Sequence, residues 1–332
     1  MKNVRLVGLD VHAETIAVSA AEVVGEVRSL GVILNRPVLV RQRASKRGKS
    51  EELRVCYEAW PTGYVLHWQL SELGVKCEVV VPTLVPVEAG DRVKTDRRGA
   101  EKLAGCYRAG DLTVVWVPNA AQEALRDLVR ARLAAKRYQL RARHRLGKFL
   151  LRQVRRAREG TTARMGKYLV WVKQQRFEQA AQEATLQDYL HEVEHAAERI
   201  VRLERAIETA GGSMPERPQA VIAGLQCLRG VAKVSAVTLV SELGQVSRFE
   251  HLRQLMGYAG IDSREHSSGA RVSCGSISNA ANAHLRRIVV EATWSYRHHS
   301  ALRCALKARP AGAREPVEAI AWRAQHRLYA RY

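Results

Sequence analysis

The first 118 residues alternate short runs of apolar and β-branched residues with helical patterns, which is typical of an α/β domain. The runs lie at residues 4–10, 15–20, 53–58, 77–81 and 113–117, and the helical patterns at 62–70 and 100–109. In such a sheet, ligands bind in the crevice at the strand ends. Asp10 and Glu58 each end an apolar run. They are therefore well placed for chemistry, although either acid alone is more often an ordinary turn residue.

A third acid, Asp96, opens a helical stretch, and Gly99 follows it by one helical turn. Residues at i and i+3 share a helix face, so a carboxylate at 99 could hold the same metal ions as Asp96. Glycine offers no ligand, and inside a helix it costs roughly 1 kcal/mol relative to alanine. The sequence thus places a residue without a ligand one helical turn beyond Asp96.

The overall charge favours a nucleic-acid partner. The chain has 332 residues, with 54 Lys and Arg against 33 Asp and Glu, a net charge of +21. An excess of this size indicates binding to a polyphosphate. We expect affinity to fall steeply with salt, because bound phosphates release counterions. The length suggests two or three domains.

The cysteines and the apolar stretches exclude several other classes. Six cysteines stand singly, with neither a zinc spacing nor a disulfide pattern, so we expect reduced thiols. No apolar stretch approaches the roughly 18 residues of a membrane span. The N-terminus enters a strand pattern without the apolar region of a signal peptide. We therefore expect a cytoplasmic protein with no membrane contact.

A basic helical region follows residue 120. Between 126 and 158 there are 13 Lys and Arg against one acid. Leu125, Val129, Leu133 and Leu140 recur at helical spacing, which predicts one packed face and a cationic remainder. A solvated surface is the alternative, but charge this one-sided favours nucleic-acid binding. The candidate binding residues are Arg130, Lys136, Arg137, Arg141, Arg143, Arg145, Lys148 and Arg152.

The next helical pattern has a coiled-coil-like seam. Its apolar positions are Leu186, Leu190, Val193, Ala197, Ile200, Leu203 and Ile207. The seam predicts either a dimerisation helix or a hairpin with the basic helix of the same chain. Residues 211–215 then break the helix and suggest a domain boundary. Farther on, 225–236 resembles a degenerate helix-hairpin-helix, with a plain helical turn as the alternative.

Five short segments together carry a family resemblance. They are Gly8–His12, Tyr57–Ala59 with Pro61–Tyr64, Val93–Arg98, Glu265–Gly269 and Asn282–Arg287. In this order and spacing they resemble the DEDD-type insertion-sequence transposases, which combine an RNase H-like (RuvC-like) domain with a catalytic-serine domain. The resemblance covers nearly the whole chain.

The resemblance implies an architecture and a site. We expect an α/β RNase H-like domain over 1–118, a helical, coiled-coil-like middle over 119–212, and a mainly α serine transposase domain over 213–332. Asp10, Glu58 and Asp96 take the first three acidic, metal-binding positions, and the fourth aligns with Gly99. Ser268 takes the role of nucleophile, with Ser267 as the alternative.

The implied function is cutting and joining of DNA strands with Mg²⁺ or Mn²⁺. The implied partners are element-end and target DNA, a structured noncoding RNA, and further copies of the chain in a dimer or tetramer. The main alternative is a catalytically dead nucleic-acid-binding remnant, because Gly99 replaces a carboxylate. An actin-like ATPase or sugar kinase would share the first strand and Asp10, but the glycine-rich nucleotide loop is missing and the charge is unexplained.

Overall fold

A computed structural model describes residues 4–45, 52–59, 62–86, 95–157, 166–269, 271–301 and 315–332. Outside these ranges lie Pro61, Val93 and Lys94 of the segments that carry the family resemblance, Arg158 at the end of the basic region, and the cysteine Cys304. The chain divides into two compact units, 1–117 and 118–332. The expected middle region and C-terminal domain thus fall within one unit.

The N-terminal unit is built on a five-stranded mixed sheet. Its strands are β1 (Arg5–Val11), β2 (Thr15–Ala21), β3 (Arg28–Leu34), β4 (Leu53–Glu58) and β5 (Lys76–Val80). Their order is β3-β2-β1-β4-β5. Neighbours β1, β2 and β3 pair antiparallel, whereas β4 is parallel to both β1 and β5. This mixed α/β sheet is consistent with an RNase H-like domain.

Three helices accompany this sheet, α1 (Pro37–Ser45), α2 (Val65–Glu72) and α3 (Asp96–Ala109). On one face, Leu9 and Val55 belong to a core that includes Leu66 and Leu70 of α2. Helix α3 packs against β1 and β2. Successive strand residues point to opposite faces, so Asp10 lies on the face opposite Leu9.

A glycine in β1 allows α3 to pack closely. A Cβ atom on Gly8 would overlap both the Ala100 carbonyl oxygen and the Ala104 nitrogen. Only the absence of a side chain at position 8 therefore permits this approach. Helix α3 begins where the Thr95 side chain accepts a hydrogen bond from the Arg98 backbone N–H, which satisfies a free N–H at the helix start. Asp96 is thus fixed beside the strand that carries Asp10.

Two local predictions for this unit differ from the structure. The apolar run 113–117 forms only an isolated bridge, Val80 to Val114, and not a strand. Strand β3 is absent from the predicted runs. Its side chains are mostly half-buried or exposed, without the alternation that marks a half-buried strand.

The C-terminal unit is mainly helical. Its helices are α4 (Ala120–Arg152), α5 (Gly166–Lys173), α6 (Ala180–Gly212), α7 (Glu216–Gln226), α8 (Lys233–Leu243), α9 (Leu252–Ala259), α10 (Ala283–Thr293) and α11 (Glu315–Tyr329). Two short strands, β6 (Ser263–Glu265) and β7 (Cys274–Ile277), form an antiparallel hairpin. Short 3₁₀ turns connect several elements.

The seam of α6 packs within the chain. Arg145 bonds to Glu192 and Arg132 to Glu204, so α4 and α6 run antiparallel as a helical hairpin. Leu186, Leu190 and Val193 of the seam are buried in a core with residues of α4. Of the two predicted arrangements, the intramolecular hairpin is the one present.

The predicted apolar face of α4 is correct except at one position. Leu125, Val129 and Leu133 are buried, whereas Leu140 is 42% exposed. Gln139 is buried instead. The apolar residues of α4 belong to two cores, Leu125 and Val129 to one that includes α8 and Leu146 to one that includes α6, so a single predicted face does not describe the whole helix. Among the described residues, no helix has the length and hydropathy needed to cross a membrane.

The segment that resembles a helix-hairpin-helix forms α7, a turn and α8. Gly230, in the turn, has a φ of 84°, a conformation that favours glycine. A Cβ there would lie 2.6 Å from the Ala292 carbonyl oxygen. Gly230 therefore has a packing role in the turn against the end of α10.

We predict that Gly8→Ala destabilises the N-terminal unit by about 1–3 kcal/mol, because the added methyl group overlaps the backbone of α3. Gly105→Ala, in α3 itself, is the matched control. Its Cβ would have only an ordinary 3.8 Å contact with Val27, and alanine improves helix propensity by up to about 1 kcal/mol. Chemical unfolding monitored by circular dichroism measures both, and equal stability of the two variants would contradict the close-packing argument.

Candidate functional site

Asp10, His12 and Asp96 meet at the end of β1. Asp10 lies in the strand, His12 follows the strand directly, and Asp96 begins α3. The His12 Nε2 atom is 3.3 Å from Asp10 Oδ1 and 3.3 Å from Asp96 Oδ1. One ligand atom from each residue lies within 4.8 Å of the others. Two carboxylates and an imidazole at these separations could hold a divalent cation.

Position 99 faces this cluster. A Cβ atom on Gly99 would overlap Asp10 Oδ2 and lie 3.1 Å from Asp10 Cγ. A side chain at 99 would thus project at the Asp10 carboxylate and require that carboxylate to rotate. Residue 99 shares a face of α3 with Asp96, as its i+3 spacing predicts, and adjoins Asp10.

Glu58 ends the strand next to β1. In the parallel pairing of β1 and β4, Leu9 lies opposite Tyr57, so Asp10 and Glu58 end neighbouring strands at the same edge of the sheet. Glu58 is half-buried. It lies outside the group formed by Asp10, His12 and Asp96. The role of Glu58 as a metal ligand stays a prediction.

The candidate nucleophiles lie at the tip of the β6–β7 hairpin. Ser268 and Arg271 exchange two backbone hydrogen bonds, each 3.1 Å, and Gly269 has a φ of 59° in the turn. The Ser267 hydroxyl donates to Glu265 Oε1 at 2.5 Å and accepts from the Ser273 backbone N–H at 3.3 Å. Both serines are exposed. The hairpin therefore holds Ser267 in hydrogen bonds at a tight, solvent-accessible turn.

A buried carboxylate joins three helices of the C-terminal unit. Glu242 of α8 is fully buried. Arg130 of α4 donates to both of its oxygens, each at 2.9 Å. Asn282 donates to Glu242 Oε2 at 2.9 Å, and its own side chain accepts from the Leu285 N–H at the start of α10. The segment 282–287 that carries the family resemblance is thus anchored to α4 through Glu242.

Two opposing effects determine the pKa of Glu242. Burial raises its pKa, but the hydrogen bonds from Arg130 and Asn282 and the charges of Arg130 and Arg126 lower it by more. The net pKa lies below its ordinary value, so Glu242 is ionised at neutral pH. The free-energy cost of burying the Glu242 charge is small only while its hydrogen-bonding and charged partners are all present.

Beside Glu242 lies a cavity of about 100 Å³ that includes His284, Arg130 and Arg287 in its lining. Burial lowers the pKa of His284, the charge of Glu242 raises it, and nearby arginines lower it further. The His284 ring is therefore neutral at pH 7. The three arginines that line the cavity are already paired, Arg130 with Glu242, Arg132 with Glu204 and Arg287 with Glu291.

The eight basic candidates on α4 comprise three paired side chains, one half-buried side chain and four further exposed ones. Arg130 bonds to Glu242 and Arg145 to Glu192, and Lys136 lies 3.9 Å from Glu204. These three side chains take part in helix packing. Arg143 is half-buried. The other four are exposed at spacings of 4, 7 and 4 and share one face of the helix, namely Arg137, Arg141, Lys148 and Arg152.

Sequence reasoning missed two residues. His12 lies two positions after Asp10, and in an extended strand such residues share a face; this spacing could have identified it. Glu242 offered no signal, because its partners are 112 and 40 residues away in the chain.

The described cysteines are free, and burial raises the pKa of Cys77 to about 12.

Comparison with known proteins gives matches over both units. Residues 7–154 match the family model of DEDD transposases of the IS110 type, and residues 223–306 match that of the IS116/IS110/IS902 transposase family. A Sinorhizobium fredii protein named "Putative transposase y4qE" is 39% identical over 98% of this chain and 80% of its own length. The transposase for insertion sequence element IS1533 of Leptospira borgpetersenii is 29% identical over 100% of this chain and 96% of its own.

We predict that Glu242→Gln lowers the free energy of unfolding by about 2–4 kcal/mol, because it leaves the Arg126 and Arg130 charges without their buried partner. Glu204→Gln is the matched control. Its pair with Arg132 is partly exposed, so the expected loss is below about 1 kcal/mol.

The pH dependence of unfolding gives a second test of the ion pair between Glu242 and Arg130. A lowered folded-state pKa stabilises the fold above the ordinary value of 4.5, and the contribution is lost as the pH falls below it. The difference between the parent protein and Glu242→Gln in urea unfolding should therefore shrink below pH 4.5. A constant difference down to pH 3 would contradict the ionised assignment.

Proposed function

The chain belongs to the IS116/IS110/IS902 family of transposases, and we propose that it cuts and joins DNA strands through a serine nucleophile and a bound divalent metal ion. The observation that carries the proposal is the meeting of Asp10 and Asp96 at one edge of an α/β sheet, with position 99 directed at Asp10. Acids 86 residues apart in the chain converge at the sheet edge where such domains bind ligands.

The metal would be held by Asp10 and Asp96, with Glu58 as a further carboxylate at the end of the adjacent strand. Mg²⁺ and Mn²⁺ both suit carboxylate oxygens. When bound, the ion supplies positive charge that polarises a phosphoryl oxygen. The protein residues fix the position of that charge, because β1, β4 and α3 are packed elements rather than loops.

Ser268 is the proposed nucleophile. Its Oγ attacks phosphorus, a P–Oγ bond forms, one P–O bond of the DNA backbone breaks, and the proton from the hydroxyl ends on the released deoxyribose oxygen. The phosphoserine ester keeps the energy of the broken phosphodiester. A hydroxyl of another strand can then reverse the step and join the DNA without an external energy source.

The hydrogen bonds at the hairpin tip support Ser268 over Ser267. The Ser267 hydroxyl both donates to Glu265 and accepts from the Ser273 N–H, so it stabilises the turn. The Ser268 backbone is fixed by its pairing with Arg271, and its exposed side chain can approach a DNA backbone. Gly269 leaves the approach open, since a Cβ there would meet no atom within 4 Å.

The exposed face of α4 supports nucleic-acid binding. Arg137, Arg141, Lys148 and Arg152 lie along about 22 Å of helix, at 1.5 Å per residue. This face suits the phosphates of element DNA or of a structured noncoding RNA equally.

Strand exchange would take place in the cytoplasm and involve a dimer or tetramer. The α6 seam no longer supports self-association, because it packs on α4.

The second candidate is a nucleic-acid-binding protein without catalysis. The observation that favours it is Gly99, which removes one carboxylate from the proposed site. Loss of a metal ligand costs several kcal/mol of transition-state stabilisation. This candidate predicts salt-sensitive binding to the same DNA and RNA without strand joining.

The first test is a covalent adduct between the protein and DNA. With element ends, flanking RNA and Mg²⁺ or Mn²⁺, we expect a denaturation-resistant adduct that disappears in Ser268→Ala. Ser267→Ala is the matched control and should retain the adduct at a reduced rate, because only the turn is loosened. Denaturing gel electrophoresis with labelled DNA measures both.

Each result discriminates between the hypotheses. Loss of the adduct in Ser267→Ala but not in Ser268→Ala would reverse the assignment of the nucleophile. DNA binding without any adduct in the parent protein would support the non-catalytic candidate.

We further predict that Gly99→Asp increases the rate of strand exchange at least about tenfold, because the Asp10 carboxylate can rotate away from the added side chain and the new carboxylate supplies a metal ligand. Gly105→Asp places the same charge in the same helix, where its Cβ would lie 3.8 Å from the Val27 side chain, and should leave the rate unchanged. Equal rates for the parent and Gly99→Asp would show that position 99 does not limit activity.

A further inference from the structure

His12 is held in place by its backbone. Its N–H donates to the Thr15 carbonyl oxygen at 2.8 Å, and its own carbonyl oxygen accepts from the Asn35 side chain at 2.8 Å. The turn between β1 and β2 therefore fixes the backbone position from which the His12 side chain extends. Its ring is half-exposed and extends between Asp10 and Asp96. His12 reaches both carboxylates without a change of backbone.

The separations fit ligands of a shared ion. Ligand atoms about 2.1 Å from a metal lie roughly 3.0 Å apart at octahedral angles and roughly 3.4 Å apart at tetrahedral angles. The two separations from His12 Nε2, both 3.3 Å, fall between these values. Asp10 uses Oδ1 for this contact and directs Oδ2 toward Gly99.

Gly99 permits this arrangement. A side chain at 99 would overlap Asp10 Oδ2, and the carboxylate would have to turn. The orientation of Asp10 that brings Oδ1 to His12 is therefore compatible with glycine at 99. Position 99, which offers no carboxylate, therefore adjoins the cluster that contains the His12 imidazole.

We propose that His12 is a ligand of the metal ion in this chain, in addition to Asp10 and Asp96, and that the site selects Mn²⁺ over Mg²⁺. This inference rests on the proposed function, which places a divalent ion at the same carboxylates. Mg²⁺ strongly prefers oxygen ligands and keeps its waters. Mn²⁺ also suits oxygen, but as a transition metal it accepts imidazole nitrogen more readily than Mg²⁺ does. A site with two carboxylates and one imidazole therefore favours the transition metal.

The competing role for His12 is that of a hydrogen-bonding partner between two carboxylates. In that role its ring nitrogen stays bound to a proton and leaves the metal to the oxygens. Both roles predict proximity to Asp10 and Asp96, and they differ in whether nitrogen bonds to the ion. The decisive observable is magnetic coupling between Mn²⁺ and an imidazole nitrogen.

Pulsed electron paramagnetic resonance of the full chain with Mn²⁺ tests the inference. We expect ¹⁴N modulation in the parent protein, a change of its frequency after ¹⁵N-histidine labelling, and its loss in His12→Ala. His195→Ala, an exposed histidine of α6, is the matched control and should keep the signal. The isotope experiment needs no substitution, so it stands even where a variant misfolds.

Metal titration by calorimetry gives the second readout. His12→Ala should weaken Mn²⁺ binding at least about tenfold and change Mg²⁺ binding much less, whereas Asp10→Asn should weaken both. Tight Mn²⁺ binding without nitrogen modulation would overturn the role of His12 and leave the proposed metal site intact. Mn²⁺ affinity unchanged in Asp10→Asn would instead overturn the metal site itself.

Discussion

The close contact between β1 and α3 is the constraint on which the candidate metal site depends. Gly8 brings the backbone of α3 against the strand, and the first turn of that helix carries Asp96 and Gly99. The Thr95 cap fixes where the helix begins. A larger residue at position 8 would move all of these groups together, so a residue with no chemistry of its own controls the distance between Asp10 and Asp96.

In the C-terminal unit a buried ion pair has the corresponding role. Glu242 receives Arg130 from α4 and Asn282 from the start of α10. Tyr258 donates to the Glu242 carbonyl oxygen, and its own carbonyl oxygen accepts from the Asn282 N–H. The start of α10 and the helix that carries the basic face are therefore held by one carboxylate. Arg130 is accordingly a structural residue as much as a basic one.

The sequence predicted the parts of the fold that follow from local periodicity. Strands β1, β2, β4 and β5 lie at four of the five apolar runs, because their core residues alternate or cluster. The fifth run, 113–117, has the right composition but forms only one bridge. Strand β3 was missed because it forms by pairing with β2, and its mostly exposed side chains leave no local apolar pattern.

The candidate site was predictable to a similar extent. The position of Asp10 at a strand end and the helix face shared by Asp96 and residue 99 follow from short-range geometry. The pairing of individual α4 cations with Glu192, Glu204 and Glu242 depends on tertiary packing. The count of Lys and Arg therefore overstates the charge available to a nucleic acid on α4.

The missing carboxylate and the orientation of Asp10 are physically linked. The packing that brings α3 close to β1 also brings position 99 against Asp10 Oδ2, so a side chain at 99 and the present orientation of Asp10 exclude each other. Glycine at 99 thus offers no ligand and also leaves the Asp10 carboxylate room to lie toward His12. Both effects have one cause, the close packing of α3 against β1. The donors that meet at the proposed site are therefore two carboxylates and an imidazole, from Asp10, Asp96 and His12.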